Sequence, residues 1–202
     1  MPTIDLSFGL DPGSIPLDHG YALFSALSRI VPGLHGDLGV GVHPIRGRRA
    51  DAGMLTLDEN SRLRIRLPED RVTPYLALAG RELDLDGLKA RVGSPSIVKL
   101  ASAPNLASRL VTFQDVMTPE QFADVVRRDL EAMGVAGTPE LVPAPRRPGE
   151  PIRRVLNVKG RRIVGFALRV TGLSAWESLA LQAEGLGARR RFGAGVFTPF
   201  HL

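Results

Sequence analysis

Twice along this chain a strand-like segment is followed by a helix, two strands, a second helical segment and a closing strand, and few folds accept that order. Residues 3–9 (Thr-Ile-Asp-Leu-Ser-Phe-Gly) alternate apolar and polar side chains, the period expected of a half-buried strand. Asp11-Pro12-Gly13 breaks it. A helix is predicted from about His19 to Val31, with Asp18 as N-cap, Leu23, Ala26, Leu27 and Ile30 at helical spacing, and Pro32-Gly33 as its stop. Strands near Val40–Ile45 and Leu63–Leu67, a helix near Glu69–Ala79 and an extended stretch from about Arg91 to Leu100 complete the first βαββαβ unit.

The second unit opens with a strand near Arg109–Phe113. Thr118-Pro119-Glu120-Gln121 then supplies an N-cap, a proline at N1 and a glutamine at N3, and the helix ends at Gly134. Five prolines (139, 143, 145, 148 and 151) predict that residues 137–151 lack regular structure. Val155–Val158 and Ile163–Val170 flank Lys159-Gly160-Arg161 as a hairpin, and a helix near Ser174–Glu184 leads to a last strand, Gly195–Phe200. The expected fold is α+β, two tandem ferredoxin-like (RRM-like) domains covering residues 1–102 and 103–202. That fold hosts many activities, so function has to be argued from sites.

The absence of cysteine removes disulfides and thiolate chemistry and points to a reducing compartment. Met-Pro-Thr-Ile-Asp at the start has neither a basic nor an apolar signal region, and no apolar run approaches the roughly 18 residues of a membrane span. The expectation is a cytoplasmic protein with no membrane partner. Charge is uneven. Residues 1–100 carry twelve basic and twelve acidic side chains, residues 101–202 fourteen and nine. Between Arg146 and Arg191 stand eleven Arg or Lys against Glu150, Glu177 and Glu184. Arginine forks onto phosphates and stacks on bases, so a polyanion is the natural partner, although 23 Arg to 3 Lys is also what a GC-rich genome produces.

Within this basic half, Gly185-Leu-Gly-Ala-Arg-Arg-Arg-Phe-Gly-Ala-Gly195 combines backbone freedom with guanidiniums, as a loop that meets phosphates would. A free nucleotide and a nucleic-acid backbone both fit, and the charge distribution favours the second. The loop lacks the Gly-x-x-x-x-Gly-Lys-Ser/Thr pattern and precedes a strand rather than a helix, which counts against a nucleotide-binding enzyme. No His/Asp/Glu cluster has metal-ligand spacing, and no cofactor is implied.

A glycine-rich loop before the last strand of a tandem ferredoxin-like protein resembles the hallmark of the CRISPR repeat-processing endoribonucleases of the RAMP superfamily. Ile15-Pro-Leu-Asp-His-Gly-Tyr-Ala-Leu-Phe-Ser-Ala-Leu-Ser28, followed by Leu34-His35-Gly36, is similar to that family's passage from first strand to first helix. The resemblance implies cleavage of precursor CRISPR RNA by attack of a ribose 2′-hydroxyl on the adjacent phosphate, leaving a 2′,3′-cyclic phosphate and a 5′-hydroxyl without a metal. It assigns the catalytic position to His35 and a polar position at the helix start to His19. Where the family often places a tyrosine in the first helix this chain has Ser28, which reaches less far and cannot stack on a base. Arg46, with Arg48 and Arg49, supplies the nearest cations for phosphorane charge. His43 reads as structural, and His201 as frayed.

For RNA binding the resemblance points to Gly185, Gly187, Arg189, Arg190, Arg191, Gly193 and Gly195. Arg153, Arg154, Lys159, Arg161 and Arg162 around the hairpin can track an RNA stem. Arg127 and Arg128, beside Asp124 and Asp129, read as surface. Trp176 and Phe192 can stack on bases, although Trp176 at a helix start reads as core. The implied partners are CRISPR repeat RNA and, if the product stays bound, other subunits of a CRISPR effector complex. Two alternatives stay open: a non-catalytic RAMP-type subunit that binds CRISPR RNA, and an unrelated ferredoxin-like enzyme.

Overall fold

A computed structural model describes residues 2–116 and 118–200 and divides the chain into two compact units, residues 1–99 and 100–202. In the first unit β1 (Thr3–Leu10) is followed by β2 (Gly13–Pro16), α1 (Gly20–Ile30), a 3-10 turn at Pro32–His35, β3 (Gly41–Val42), β4 (Arg48–Arg49), β5 (Met54–Leu57) and β6 (Arg62–Pro68). Two further 3-10 turns, Glu69–Arg71 and Thr73–Leu78, lead to β7 (Glu82–Leu85) and β8 (Leu88–Lys99). The main sheet runs β3-β6-β1-β8-β7, and β2, β5 and β4 form a second, three-stranded sheet.

Alternation along β1 decides its two faces. Ile4, Leu6, Phe8 and Leu10 are buried; the first three pair in register with Leu67, Ile65 and Leu63 of β6 and Leu10 pairs with Val92 of β8, while Asp5 and Ser7 point the other way. On α1, Ala22, Leu23, Phe24, Ala26, Leu27 and Ser28 are buried. His19 rather than Asp18 takes the N-cap position, and no side chain caps the helix.

One further expectation fails here and two features go beyond the sequence reading, each for a local reason. The helix near Glu69–Ala79 is replaced by the two 3-10 turns, because Pro74 has no N–H to give and its ring crowds the preceding turn. The sheet β2-β5-β4 was not foreseen, since its strands are two to four residues long. Nor was β7, which forms a hairpin with β8 in which Leu85 pairs with Leu88 across Asp86-Gly87. Both turn residues have positive φ, 55° and 86°, as a two-residue hairpin loop requires.

The second unit contains β9 (Leu106–Val111), α2 (Pro119–Ala132), β10 (Thr138–Leu141), β11 (Arg153–Val158), β12 (Arg161–Thr171), α3 (Ala175–Glu184), a 3-10 turn at Arg190–Phe192 and β13 (Thr198–Pro199). Thr118 accepts the Gln121 N–H at the start of α2, and Ser174 and Glu177 close a full capping box on α3. The sheet order is β10-β12-β9-β13, with β11 also on β12. In both units the strands that follow the βαββαβ pattern therefore lie in the ferredoxin-like 4-1-3-2 order. Phe122, Phe166, Leu181 and Phe197 lie in the main core.

Here too the proline-rich segment departs from expectation. Residues 138–141 form β10, paired with Leu168–Thr171 of β12, and Pro143 bridges to Pro151. An edge strand can hold Pro139, because one of its sides needs no donors. The last strand is shorter than expected, Thr198–Pro199 alone, and Gly195 reaches β9 by a separate bond from its N–H to the Leu110 carbonyl.

Candidate functional site

The first unit presents His35 at the end of the Pro32–His35 turn, where the chain leaves α1 and Pro32 ends helical propagation. Its side chain is exposed, and its ring packs edge-on against Phe24 of α1, with centroids 4.9 Å apart and planes at 80°. The contact braces the ring against α1. Ser28 lies one helical turn after Phe24 on the same face of α1. It is buried, and its hydroxyl has no hydrogen-bond partner among the described residues.

His19 is held quite differently. It is buried, its Nε2 accepts the Ile45 N–H at 3.0 Å, and its Nδ1 must then carry the proton donated to the Pro16 carbonyl at 2.9 Å. Both ring nitrogens serve the framework, so the geometry favours a positioning role over proton transfer. His43 is buried too. Its Nε2 lies 3.2 Å from Asp5 Oδ1, and Arg66 grips the same carboxylate through Nε at 2.7 Å and Nη2 at 3.0 Å. Burial alone would raise the Asp5 carboxyl, but the hydrogen bonds from His43 and Arg66 hold it well below the usual carboxylate range. Burial also pushes the His43 imidazole below its ordinary value, so at neutral pH it is an uncharged donor. Sequence reasoning missed this triad. The signal was there in Arg62, Arg64 and Arg66 alternating along β6, with Asp5 the one acid of β1.

Arg46, Arg48 and Arg49 are exposed at and before β4, in the three-stranded sheet. The loop after His35 has a cation of its own from far along the chain. Asp37 accepts the Gly39 N–H at 3.1 Å and a 2.8 Å bond from Arg71 Nη1.

In the second unit, residues 185–195 form a folded loop packed on β9. Ala188 N–H bonds to the Thr112 carbonyl, Gly195 N–H to the Leu110 carbonyl and Leu186 N–H to the Gly195 carbonyl. Gly185 and Gly195 have φ of 68° and 67°, and a Cβ on either would collide with the other strand of the loop, at the Gly195 and Leu186 carbonyls respectively. Gly187 and Gly193 also have positive φ, as does Arg189. These glycines let the chain approach itself. The three arginines are not equivalent. All three are half-buried, and Arg190 turns inward to donate from Nη2 to the Ala183 carbonyl at 2.7 Å, in the last turn of α3.

The hairpin of β11 and β12 turns at Lys159-Gly160, with φ of 48° and 76°. Arg153, Lys159, Arg161 and Arg162 are exposed and Arg154 is half-buried. Strand alternation gives the hairpin two faces. One carries Leu156, which buries with Leu110 and Ala194 while Val158, Ile163 and Phe192 pack around them. Ala194 and Phe192 belong to the glycine-rich loop, so this small cluster joins the two predicted RNA-binding segments. The other face, with Arg147 from the proline-rich segment, lines a groove of about 520 Å³ bounded by Arg153, Val155, Arg162 and Val164.

Arg127 and Arg128 are exposed and paired with Asp124 and Asp129. Trp176 is not core: it is 62% exposed, at the start of α3. His201 lies outside the described residues. Among those residues no group of three His, Cys, Asp or Glu is placed to hold a metal ion, and no helix is long and apolar enough to cross a membrane.

Comparison with known proteins places this geometry in context. The family model described as Cas6 Crispr matches residues 4–201. The chain is 39% identical over 199 residues to the CRISPR-associated endonuclease Cas6 of Myxococcus xanthus (strain DK1622), covering 98% of this chain and 82% of that protein. Among solved structures, a CRISPR associated protein Cas6 superposes with a TM-score of 0.69 at 15% identity, covering 98% of this chain and 100% of the other. A structure described as an RAMP protein binding different RNA substrates gives a TM-score of 0.69 at 16% identity, with the same coverage. The structural matches carry the tandem ferredoxin-like fold. With the family model spanning nearly the whole chain and a curated relative at this identity, the chain belongs to the Cas6 family.

Proposed function

We propose that this protein is a metal-independent endoribonuclease that cuts precursor CRISPR RNA within its repeats. The observation that carries the reading is the 39% identity, across 98% of the chain, to a protein named as a CRISPR-associated endonuclease. The 2′-oxygen of the nucleotide before the cut attacks phosphorus. The bond from phosphorus to the 5′-oxygen breaks, the 2′-hydroxyl loses a proton, and the departing 5′-oxygen gains one. The products are a 2′,3′-cyclic phosphate and a 5′-hydroxyl. Because the nucleophile belongs to the substrate, the protein has to align it, move protons and stabilise charge on the phosphorane.

His35 is the group for proton transfer. An imidazole has both forms available near neutral pH, and this one is exposed with its ring braced by Phe24. Ser28 offers a hydroxyl on the stripe of α1 that supports it. His19 acts from behind, by holding Ile45. In the second unit the hairpin arginines and Arg189 and Arg191 bind the RNA backbone, and Arg190 shapes the loop. Retention of the product, and through it association with other subunits of a CRISPR effector complex, belongs to the same proposal.

Cleavage of the genome's own CRISPR repeat RNA in EDTA tests it, with wild type and His35→Ala and with a 2′-deoxy nucleotide at the cut. We expect wild type to cut in EDTA, the deoxy substrate to stay whole, and His35→Ala to bind but lose about 10²–10⁴-fold in rate. Tight binding without cleavage by wild type would instead identify a non-catalytic RNA-binding subunit.

A further inference from the structure

We propose that Arg71 is a catalytic residue of this site, the cation that meets the scissile phosphate beside His35; the inference rests on the endonuclease reading above. In sequence Arg71 stands far from His35, in the 3-10 turn that follows β6. The fold brings it to the loop that His35 opens. Its Nη1 bonds Asp37 Oδ1 at 2.8 Å, and the same oxygen accepts the Gly39 N–H at 3.1 Å. Asp37 is two residues after His35, so their Cα atoms are at most about 7 Å apart. The guanidinium therefore lies against the loop segment that His35 opens.

The two partners are exposed to different degrees. The Asp37 side chain is 16% exposed and that of Arg71 is 53% exposed. The carboxylate lies beneath and the guanidinium faces out. Asp37 engages Nη1 alone, which leaves the Nε/Nη2 edge, the edge that forks onto two oxygens of a phosphate, free of that contact. An exposed ion pair of this kind adds little to stability, so stability does not account for it. Of the cations that follow His35 most closely in sequence, Arg46 precedes β4, and Arg48 and Arg49 lie on β4 in the other sheet. In the transesterification Arg71 transfers no proton. It hydrogen-bonds the non-bridging oxygens as the phosphorane gains charge, and Asp37 keeps it aimed.

The test compares wild type, Arg71→Ala, Arg71→Lys, Asp37→Asn and the Arg71→Ala/Asp37→Asn double variant. The readouts are the single-turnover rate on repeat RNA, the affinity for the same RNA with a 2′-deoxy nucleotide at the cut, and the melting temperature. Arg71→Ala is expected to lose on the order of 10²-fold in rate, as removal of one transition-state donor does, with affinity and melting nearly unchanged. Arg71→Lys should recover part of the loss. Asp37→Asn, which keeps the cation and loosens its aim, should lose less, and the double variant should match Arg71→Ala. A rate for Arg71→Ala close to wild type overturns the inference, and so does an Asp37→Asn loss equal to that of Arg71→Ala, which would make the pair a loop brace only. Wild type that leaves the RNA whole overturns the endonuclease reading and this inference together; wild-type cleavage with Arg71→Ala unimpaired overturns this inference alone.

Discussion

In the first unit an aspartate, an arginine and a histidine are buried together on one face of a sheet, whereas in the second Arg153, Arg161 and Arg162 of the β11–β12 hairpin stand at the surface. Both units use the same strand order, so the contrast does not come from topology. A buried charge is committed to a partner inside the fold, since leaving it alone in a low-dielectric interior is costly. An exposed arginine on a hairpin keeps its donors for whatever arrives. The location of a cation in this molecule thus separates framework from ligand binding better than its type does. The same test sorts the histidines: His19 and His43 have ring nitrogens engaged inside the fold, and His35 faces out.

Breaking the contrast at its buried end should have the largest effect. Arg66→Met leaves Asp5 without its bidentate partner and should lower unfolding free energy by about 3–5 kcal/mol, read from urea denaturation. Arg161→Ala and Arg162→Ala in the hairpin should each stay within about 0.5 kcal/mol of wild type. If Arg66→Met proved equally mild, burial would not be the criterion that distinguishes the two sets. Next comes the exposed end. Replacing Arg153, Arg161 and Arg162 by alanine should flatten the salt dependence of RNA affinity by roughly 0.7–0.9 log units per log unit of salt for each phosphate no longer neutralised. An unchanged slope would remove those arginines from the RNA surface.

The smallest effect concerns pH. Burial lowers the His43 pKa from its ordinary 6.5, so the unfolded chain binds the proton more readily than the folded one. Its contribution to stability is complete above about pH 6.5 and falls as acid is added, and Asp5, also lowered, adds its own loss below its ordinary 3.8. His43→Gln should therefore lose less stability than wild type between pH 7.5 and 5, measured as the shift in urea midpoint. Parallel curves for the two proteins would show that His43 does not titrate in that window.

What could be read from the sequence followed the length and regularity of each signal. The apolar alternation of β1, the capping residues of α2, the span of α3 and the Lys159-Gly160 turn are each local, and each appears where expected. Signals that depended on partners did not read through. β10 contains Pro139 and exists because β12 offers it an edge. The Asp86-Gly87 turn was legible in principle, lying between Leu83-Asp84-Leu85 and Leu88-Lys89-Ala90, yet its strand is only four residues long. Within the candidate site the sequence pointed to His35 and to the basic segments, but a run such as Arg189-Arg190-Arg191 looks uniform until the fold turns its middle member inward. The approach of Arg71 to Asp37 spans 34 positions and carries no local mark at all.

The cluster of Leu110, Leu156 and Ala194 has a consequence for how such a protein can diversify. It ties the β11–β12 hairpin to the glycine-rich loop right up to Val158, while the two turn residues beyond it, Lys159-Gly160, are exposed. Residues can be added or exchanged at the tip without shifting the loop, so lineages facing different RNAs can change the reach of the hairpin while its footing stays the same.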